Sequence, residues 1–308
     1  MRRMLGFCLG LALSAVSAPA QTPGWVRDLN NNLANDAVSA VEVFSAETMV
    51  AGGSFRYDNA RVPDVTWSTY KIPFEHTFGE STNVLRPFIE VDLGYFNLNQ
   101  DTAVGTNTVG QLNVSSLTGT LGGGIRWKPL DWLTVSPGLA AAYSHVWQNF
   151  SRYVPPGNPL ADALGDWEAN AFTLLPAIEV ALTRSWDRWD FTVNSHFTYL
   201  WVVGLHDTSS LIDIGSTSEI WKTGLKSTYH SDLRLFEMPV SFSGGFSVYE
   251  LYGRLADANF VDHFYEARIG TGVQLPKPIL GVQHLVLSGA YYFYSSFSGY
   301  SFGLSVDF

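Results

Sequence analysis

Two dipeptides set a hydroxyl beside an imidazole, Ser144-His145 and Ser195-His196, and two set an imidazole beside a carboxylate, His206-Asp207 and Asp262-His263. Such pairs are the raw material of hydrolysis, in which an imidazole takes the proton of a serine or of an attacking water. Spacing speaks against the first two. Adjacent side chains leave an extended strand on opposite faces, so neither pair makes a dyad by itself, whereas residues two apart would share a face. The other two pairs fall near expected strand ends, where Asp and His converging on a rim would suit a peptide hydrolase and where ordinary loop polarity is the simpler account. Metal and cofactor chemistry have less to work with. The seven histidines are scattered, the single cysteine is Cys8, and no Asp-x-Asp-x-Asp spacing occurs in the loops. No glycine loop of the nucleotide-binding kind precedes a helix, so no metal and no cofactor are expected. Gly122-Gly-Gly124 sits inside a strand and is expected to allow barrel bending or close approach of an N-terminal plug helix.

The elements that would position these groups are strands. Counting segments of period two from Met49 onward gives about twelve, each longer than the ~10 residues a tilted strand needs to cross hydrocarbon. Between Val84 and Leu98, Ile89, Val91, Leu93 and Tyr95 share one face, while Glu90, Asp92 and Gly94 share the other. Between Trp189 and Leu205, Phe191, Val193, Phe197, Tyr199, Trp201 and Val203 line one side. Carboxylates alternating with β-branched and aromatic residues belong between water and lipid, so the expected fold is all-β: a transmembrane antiparallel β-barrel of about twelve strands.

Connection lengths alternate as such a barrel requires. Gly79 to Asn83, Lys128 to Asp131, Arg184 to Arg188, His230 to Asp232 and Pro276 to Leu280 read as compact turns. Asp58 to Asp64, Asn99 to Gln111, Asn149 to Asp166, His206 to Gly215 and Gly253 to Asn259 read as longer external connections. Trp127, Trp132, Trp147, Trp167, Trp186, Trp189 and Tyr252 cluster near strand ends and are expected in interfacial girdles. With 46% hydrophobic residues and a formal charge of -10, the composition supports a large apolar surface and speaks against a nucleic-acid partner.

The termini fit the same picture. Met1-Arg-Arg-Met4 is basic, Leu5 to Val16 is apolar but too short to span a bilayer, and Ala18-Pro-Ala20 before Gln21 is a small-x-small cleavage site. Residues 1–20 therefore read as a signal peptide, and Cys8 lies inside it. Residues 21–48 open with Thr22-Pro23 and carry Val26, Leu29, Leu33, Ala37, Val41 and Phe44 at helical spacing, an amphipathic segment for the lumen or the rim. Residues 49–308 form the barrel. At the end of the chain Tyr300, Phe302, Leu304, Val306 and Phe308 occupy one face, and the terminal Phe resembles the C-terminal assembly signal of bacterial outer-membrane proteins.

A lumenal helix, about twelve strands, alternating short and long connections and a terminal Phe together resemble the β-domain of autotransporters, the translocator half of type V secretion. The resemblance implies a bacterial outer membrane, with membrane lipid, the barrel-assembly machinery and periplasmic chaperones as partners. Only Gln21 to Thr48 precede the first strand, so the chain resembles a solitary barrel of this type without a passenger, with a structural or small-pore role. A barrel hydrolase acting on lipid or peptide at the external rim, and a substrate-specific diffusion channel, are the rival readings; the external ligand is open. If the lumen conducts, its inward face carries the function. Alternation assigns to it Lys71, Glu75, Glu90, Asp92, Arg126, Glu179, Asp190, His196, Lys222, Lys226, Glu237, Asp262, Glu266 and Arg268, an acidic excess that would favour cations.

Overall fold

The computed structural model describes residues 34, 37–38, 50–59, 62–80, 82–103, 109–151, 166–207, 214–258, 262–279, 282–295 and 297–307. Residues 1–20 with the expected cleavage site at Ala18, Ala20 and Gln21, most of 21–48, and Phe308 lie outside this set, as do the side chains of Val306 and Asp207.

Twelve strands close into a single antiparallel barrel, each bonded to its sequence neighbours and the first to the last. They are β1 (Val50–Asn59), β2 (Val62–Thr77), β3 (Leu85–Ala103), β4 (Val109–Leu130), β5 (Leu133–Ser151) and β6 (Trp167–Trp186). The ring continues with β7 (Trp189–Asp207), β8 (Gly215–Leu235), β9 (Met238–Gly253), β10 (His263–Ile279), β11 (Val282–Tyr294) and β12 (Phe297–Asp307). A short helix, α1 (Arg254–Ala258), joins β9 to β10. Among the described residues no helix is long and apolar enough to cross a membrane, which leaves the strands to do so. Closure bonds every strand on both sides and so removes the unpaired edges that hydrocarbon would not tolerate.

Period two decides what faces where. On the outer side Tyr70, Ile72 and Phe74 of β2 and Tyr300, Phe302 and Leu304 of β12 are exposed, while their neighbours Lys71 and Glu75 point inward. Exposed aromatics mark two levels: Trp127, Trp132, Trp186 and Trp189 at the short-turn end, and Trp201, Trp221 and Tyr252 toward the other. Trp189 and Trp201 share one face of β7, about 40 Å apart along the strand and roughly 28 Å apart along the barrel axis after a ~45° tilt, the thickness of a hydrocarbon core.

Local expectations change in several places. The turn expected at His230 to Asp232 is part of β8, which continues to Leu235 and reverses at Phe236 and Glu237, both with positive φ (50° and 69°). A mirror-image two-residue turn needs that backbone, and its usual Asn-Gly signature is absent here, so the reversal was not visible. The connection between β1 and β2 shrinks to residues 60–61, where Asp58 to Asp64 had been expected to loop out. Trp167 is buried inside the barrel and so belongs to no girdle, whereas Trp147 stays on the outer face, stacked on His145 at 5.4 Å. The glycines of β4 serve neighbouring strands: a Cβ on Gly122 would collide with Ala140 of β5 at 2.6 Å, and one on Gly123 with the Phe88 carbonyl of β3 at 2.7 Å.

Candidate functional site

Inward side chains divide the lumen into two layers. Toward the long connections the filling is apolar. Phe55 stacks on Trp67 and Phe297 at centroid distances of 5.8 and 6.0 Å, with Tyr292 at 5.3 Å, and the same cluster takes in Leu200, Leu251, Phe264 and, from α1, Leu255. A second cluster joins Phe96, Leu112, Val114, Val146, Trp167, Val202 and Ile214 to Ala34, Ala37 and Val38, three helical residues that are fully buried or nearly so. Ser116 Oγ donates to the Ala37 carbonyl at 3.0 Å, tying that helical segment to β4. A Cβ on Gly299 would strike the Phe55 ring, so only glycine lets this aromatic lie flat across β12.

Toward the short turns the inward positions turn polar, through Thr69, Ser116, Thr118, Ser144 and Thr173, and then charged. Here lies a cavity of about 490 Å³. Eleven of the fourteen residues assigned inward by alternation line it: Lys71, Glu75, Glu90, Asp92, Arg126, Glu179, His196, Lys222, Lys226, Glu266 and Arg268. The other three stand elsewhere. Glu237 sits in the β8–β9 turn because β8 is longer than expected. Asp190 lies beside the β6–β7 turn, hydrogen-bonded to His230 at 2.6 Å, and Asp262 precedes β10, exposed and bonded to His263 at 2.8 Å. All three are acids, so the expected acidic excess disappears: among the described lining residues, five carboxylates face five Lys and Arg side chains.

Most of these charges brace one another. Arg126 Nη2 donates to both oxygens of Glu75, at 2.6 and 2.8 Å, and Nη1 reaches Thr77 Oγ1 at 2.8 Å. Its guanidinium also lies over the Phe88 ring, 5.3 Å from the centroid. Lys71 pairs with Asp92 at 3.0 Å. Glu266, 2% exposed, is the most enclosed. It accepts from Tyr249 Oη at 2.6 Å and from Arg268 Nε at 2.9 Å, and Lys222 Nζ stands 3.9 Å away, over the Tyr249 ring. A carboxylate this deep survives only with such partners, and this group closes the cavity against the aromatic layer. His196 Nε2 bonds Thr198 Oγ1 at 2.8 Å, and register sets His196 between Glu179 of β6 and Lys222 of β8.

The hydroxyl–imidazole pairs separate as strand geometry dictates. Ser144 points inward to Thr118, at 2.8 Å, while His145 points outward to Asn170, at 2.9 Å. Ser195 receives the Trp221 indole N–H on the outer face at 2.7 Å, and His196 faces the cavity. Asp262-His263 straddles the start of β10 and His206-Asp207 ends β7, three strands away. Among the described residues no group of three or more His, Cys, Asp or Glu side chains could hold a metal ion.

Two features escaped the sequence reading. Tyr249 sits on the inward face of β9 and was not among the residues assigned to the lumen. On the outer face Asn97, Asn99 and Asn113 close a ring of amide hydrogen bonds of 3.2, 2.6 and 2.7 Å. Its signal was present: along β3 the face that carries Ile89, Val91, Leu93 and Tyr95 continues with Asn97 and Asn99, where the apolar band ends.

A profile of the family described as "Solitary outer membrane autotransporter beta-barrel domain" matches residues 64–303. Among solved structures, the translocator domain of the autotransporter NalP from Neisseria meningitidis superposes with a TM-score of 0.59 at 13% identity, covering 92% of this chain and 98% of that one. The transport unit of the autotransporter AIDA-I from Escherichia coli gives 0.56 at 11% identity, over 91% and 98%. The β-domain of the Bordetella autotransporter BrkA gives 0.51 at 13% identity, over 85% and 100%. At these identities the likeness is one of fold. No curated protein matches the sequence significantly.

Proposed function

The chain belongs to the solitary outer-membrane autotransporter β-barrel domain family, and from that premise we propose that it is a non-enzymatic barrel, sealed toward the cell surface and holding a latent small pore whose cavity opens to the periplasm. The fold indicates the bacterial outer membrane, where the short-turn end faces the periplasm and the long connections face outward.

The observation that carries this reading is the layering of the lumen: stacked aromatics and the buried Ala34, Ala37 and Val38 on the outer side, ion pairs around a cavity on the inner side. A barrel of this strand number leaves a narrow interior, and one layer of interdigitated side chains suffices to close it. The paired charges favour bracing over free conduction, since Arg126 with Glu75, Lys71 with Asp92 and Lys222 with Glu266 each hold two strands together and leave little net field along the axis. Residues 1–20 act as the export signal in this account. The face formed by Tyr300, Phe302 and Leu304, continued by Val306 and Phe308, meets membrane lipid and is read by the barrel-assembly machinery after periplasmic chaperones deliver the chain.

Single-channel conductance in planar bilayers tests the seal, comparing the mature chain with one lacking Gln21 to Phe44. Silence from the mature chain and a conductance that appears on deletion are expected. Equal, steady conductance from both, with heat-modifiable folding confirmed on a gel, would contradict a sealed lumen.

A further inference from the structure

The charges around the cavity are segregated as well as paired. The lining strands β2 to β6 bring four carboxylates, Glu75, Glu90, Asp92 and Glu179, against two cations, Lys71 and Arg126. Across the barrel β8 and β10 bring three cations, Lys222, Lys226 and Arg268, against one carboxylate, Glu266. In the closed order of twelve strands β3 and β4 lie opposite β9 and β10, so an acidic wall with an excess of two negative charges faces a basic wall with an excess of two positive ones. Between low-dielectric walls such an arrangement produces a field across the cavity instead of along it.

That field selects its occupant. An anion gains at the basic wall and loses at the acidic one, and a cation does the reverse. A solute with a positive and a negative end gains at both. Two of the lining charges, one on each wall, form no ion pair or hydrogen bond among the described residues: Glu179 of β6 and Lys226 of β8. Register places Glu179 beside His196 and His196 beside Lys222, with Lys226 two repeats of the pleat further toward the short-turn end. Two strand spacings across and four residues along separate their Cα atoms by about 16 Å. Side chains that stand perpendicular to the sheet and project side by side into the lumen keep roughly that separation, and a hydrogen bond of about 3 Å at each end leaves about 10 Å, the span of an extended tripeptide. The cavity's 490 Å³ lies within the ~300–1,000 Å³ typical of small-ligand pockets.

We propose that the cavity is a binding site for a short zwitterionic peptide, its ammonium held by Glu179 and its carboxylate by Lys226, with the paired charges on either side fixing its orientation. In the cell this rests on the periplasmic opening described above. Binding measured on detergent-solubilised protein does not depend on which end the cavity opens, so the two readings fail separately.

Isothermal titration of the refolded mature protein with trialanine, N-acetyl-trialanine and trialanine amide tests it. Trialanine is expected to bind at least tenfold more tightly than either blocked form. Glu179→Gln is expected to abolish the advantage of the free amine over the acetylated peptide while keeping the advantage of the free carboxylate, and Lys226→Gln to do the opposite. Heat-modifiable mobility shows that both variants fold. No binding of trialanine, equal binding of all three peptides, or unchanged preferences in both variants would overturn the proposal.

Discussion

Phe55, Trp67, Tyr292 and Phe297 stack ring on ring in the outer half of the lumen, whereas Lys71, Glu75, Arg126 and Glu179 face a cavity in the inner half. The same strands supply both. Along β2 the inward positions run from Trp67 through Thr69 to Lys71 and Glu75; along β10 they run from Phe264 to Glu266 and Arg268. One face of a strand thus passes from apolar to charged within about two residues of the same parity. The outer half closes by burial, which needs close fit and no water; the inner half holds its shape by ion pairs that tolerate water. The lumen of a barrel need not be uniformly polar, and the level at which it changes sets where a solute can go.

The difference predicts unequal responses to mutation. Phe55 is 2% exposed and lies at the centre of the aromatic layer. Phe55→Ala is expected to cost about 3–5 kcal/mol in urea unfolding of the refolded barrel and to make the mature chain conduct. A loss below 1 kcal/mol with no conductance would erase the distinction between the halves. Glu266→Gln comes next, since it strands Lys222 and Arg268 in a buried place; about 3 kcal/mol is expected in the same assay. Ser116→Ala removes the hydrogen bond to the Ala37 carbonyl and should cost about 1–2 kcal/mol by leaving that acceptor unsatisfied. Its effect should vanish in a chain lacking Gln21 to Phe44, which sharpens the assignment of the helical residues to the seal. Lys71→Gln, in a pair that faces the cavity, is expected to change stability by about 1 kcal/mol or less. A loss as large as that of Glu266→Gln would mean that the inner half is as dry as the outer.

Much of this was legible in the sequence for a physical reason. Where one face meets lipid and the other meets charge, alternation is strong, and it placed eleven lining residues without any knowledge of pairing. It failed where the inward face is apolar and the outward one polar. Trp67 stands between Thr66 and Ser68 and Trp167 between Asp166 and Glu168, beyond the apolar band, where hydropathy no longer tells lumen from lipid, so Trp167 read as a girdle residue. It failed again at Glu237, because a turn made by Phe236 and Glu237 carries none of the glycine or asparagine that usually announces a reversal. Partners are a separate matter. Arg126 finds Glu75 two strands away and 51 residues back along the chain, a contact set by barrel register, which no local pattern encodes.

Side-specific labelling tests the layered lumen most directly. The sequence holds one cysteine, Cys8, within the expected signal peptide, so Lys226→Cys gives a single reporter on the cavity wall and Asp166→Cys one at the exposed outer end of β6. The reagent is a slender polyethylene-glycol maleimide too large for general porins, applied to intact cells and to cells whose periplasm has been opened. The account predicts that Asp166→Cys labels in both and that Lys226→Cys labels only once the periplasm is open. Labelling of Lys226→Cys in intact cells at the rate of Asp166→Cys would contradict a lumen sealed toward the surface.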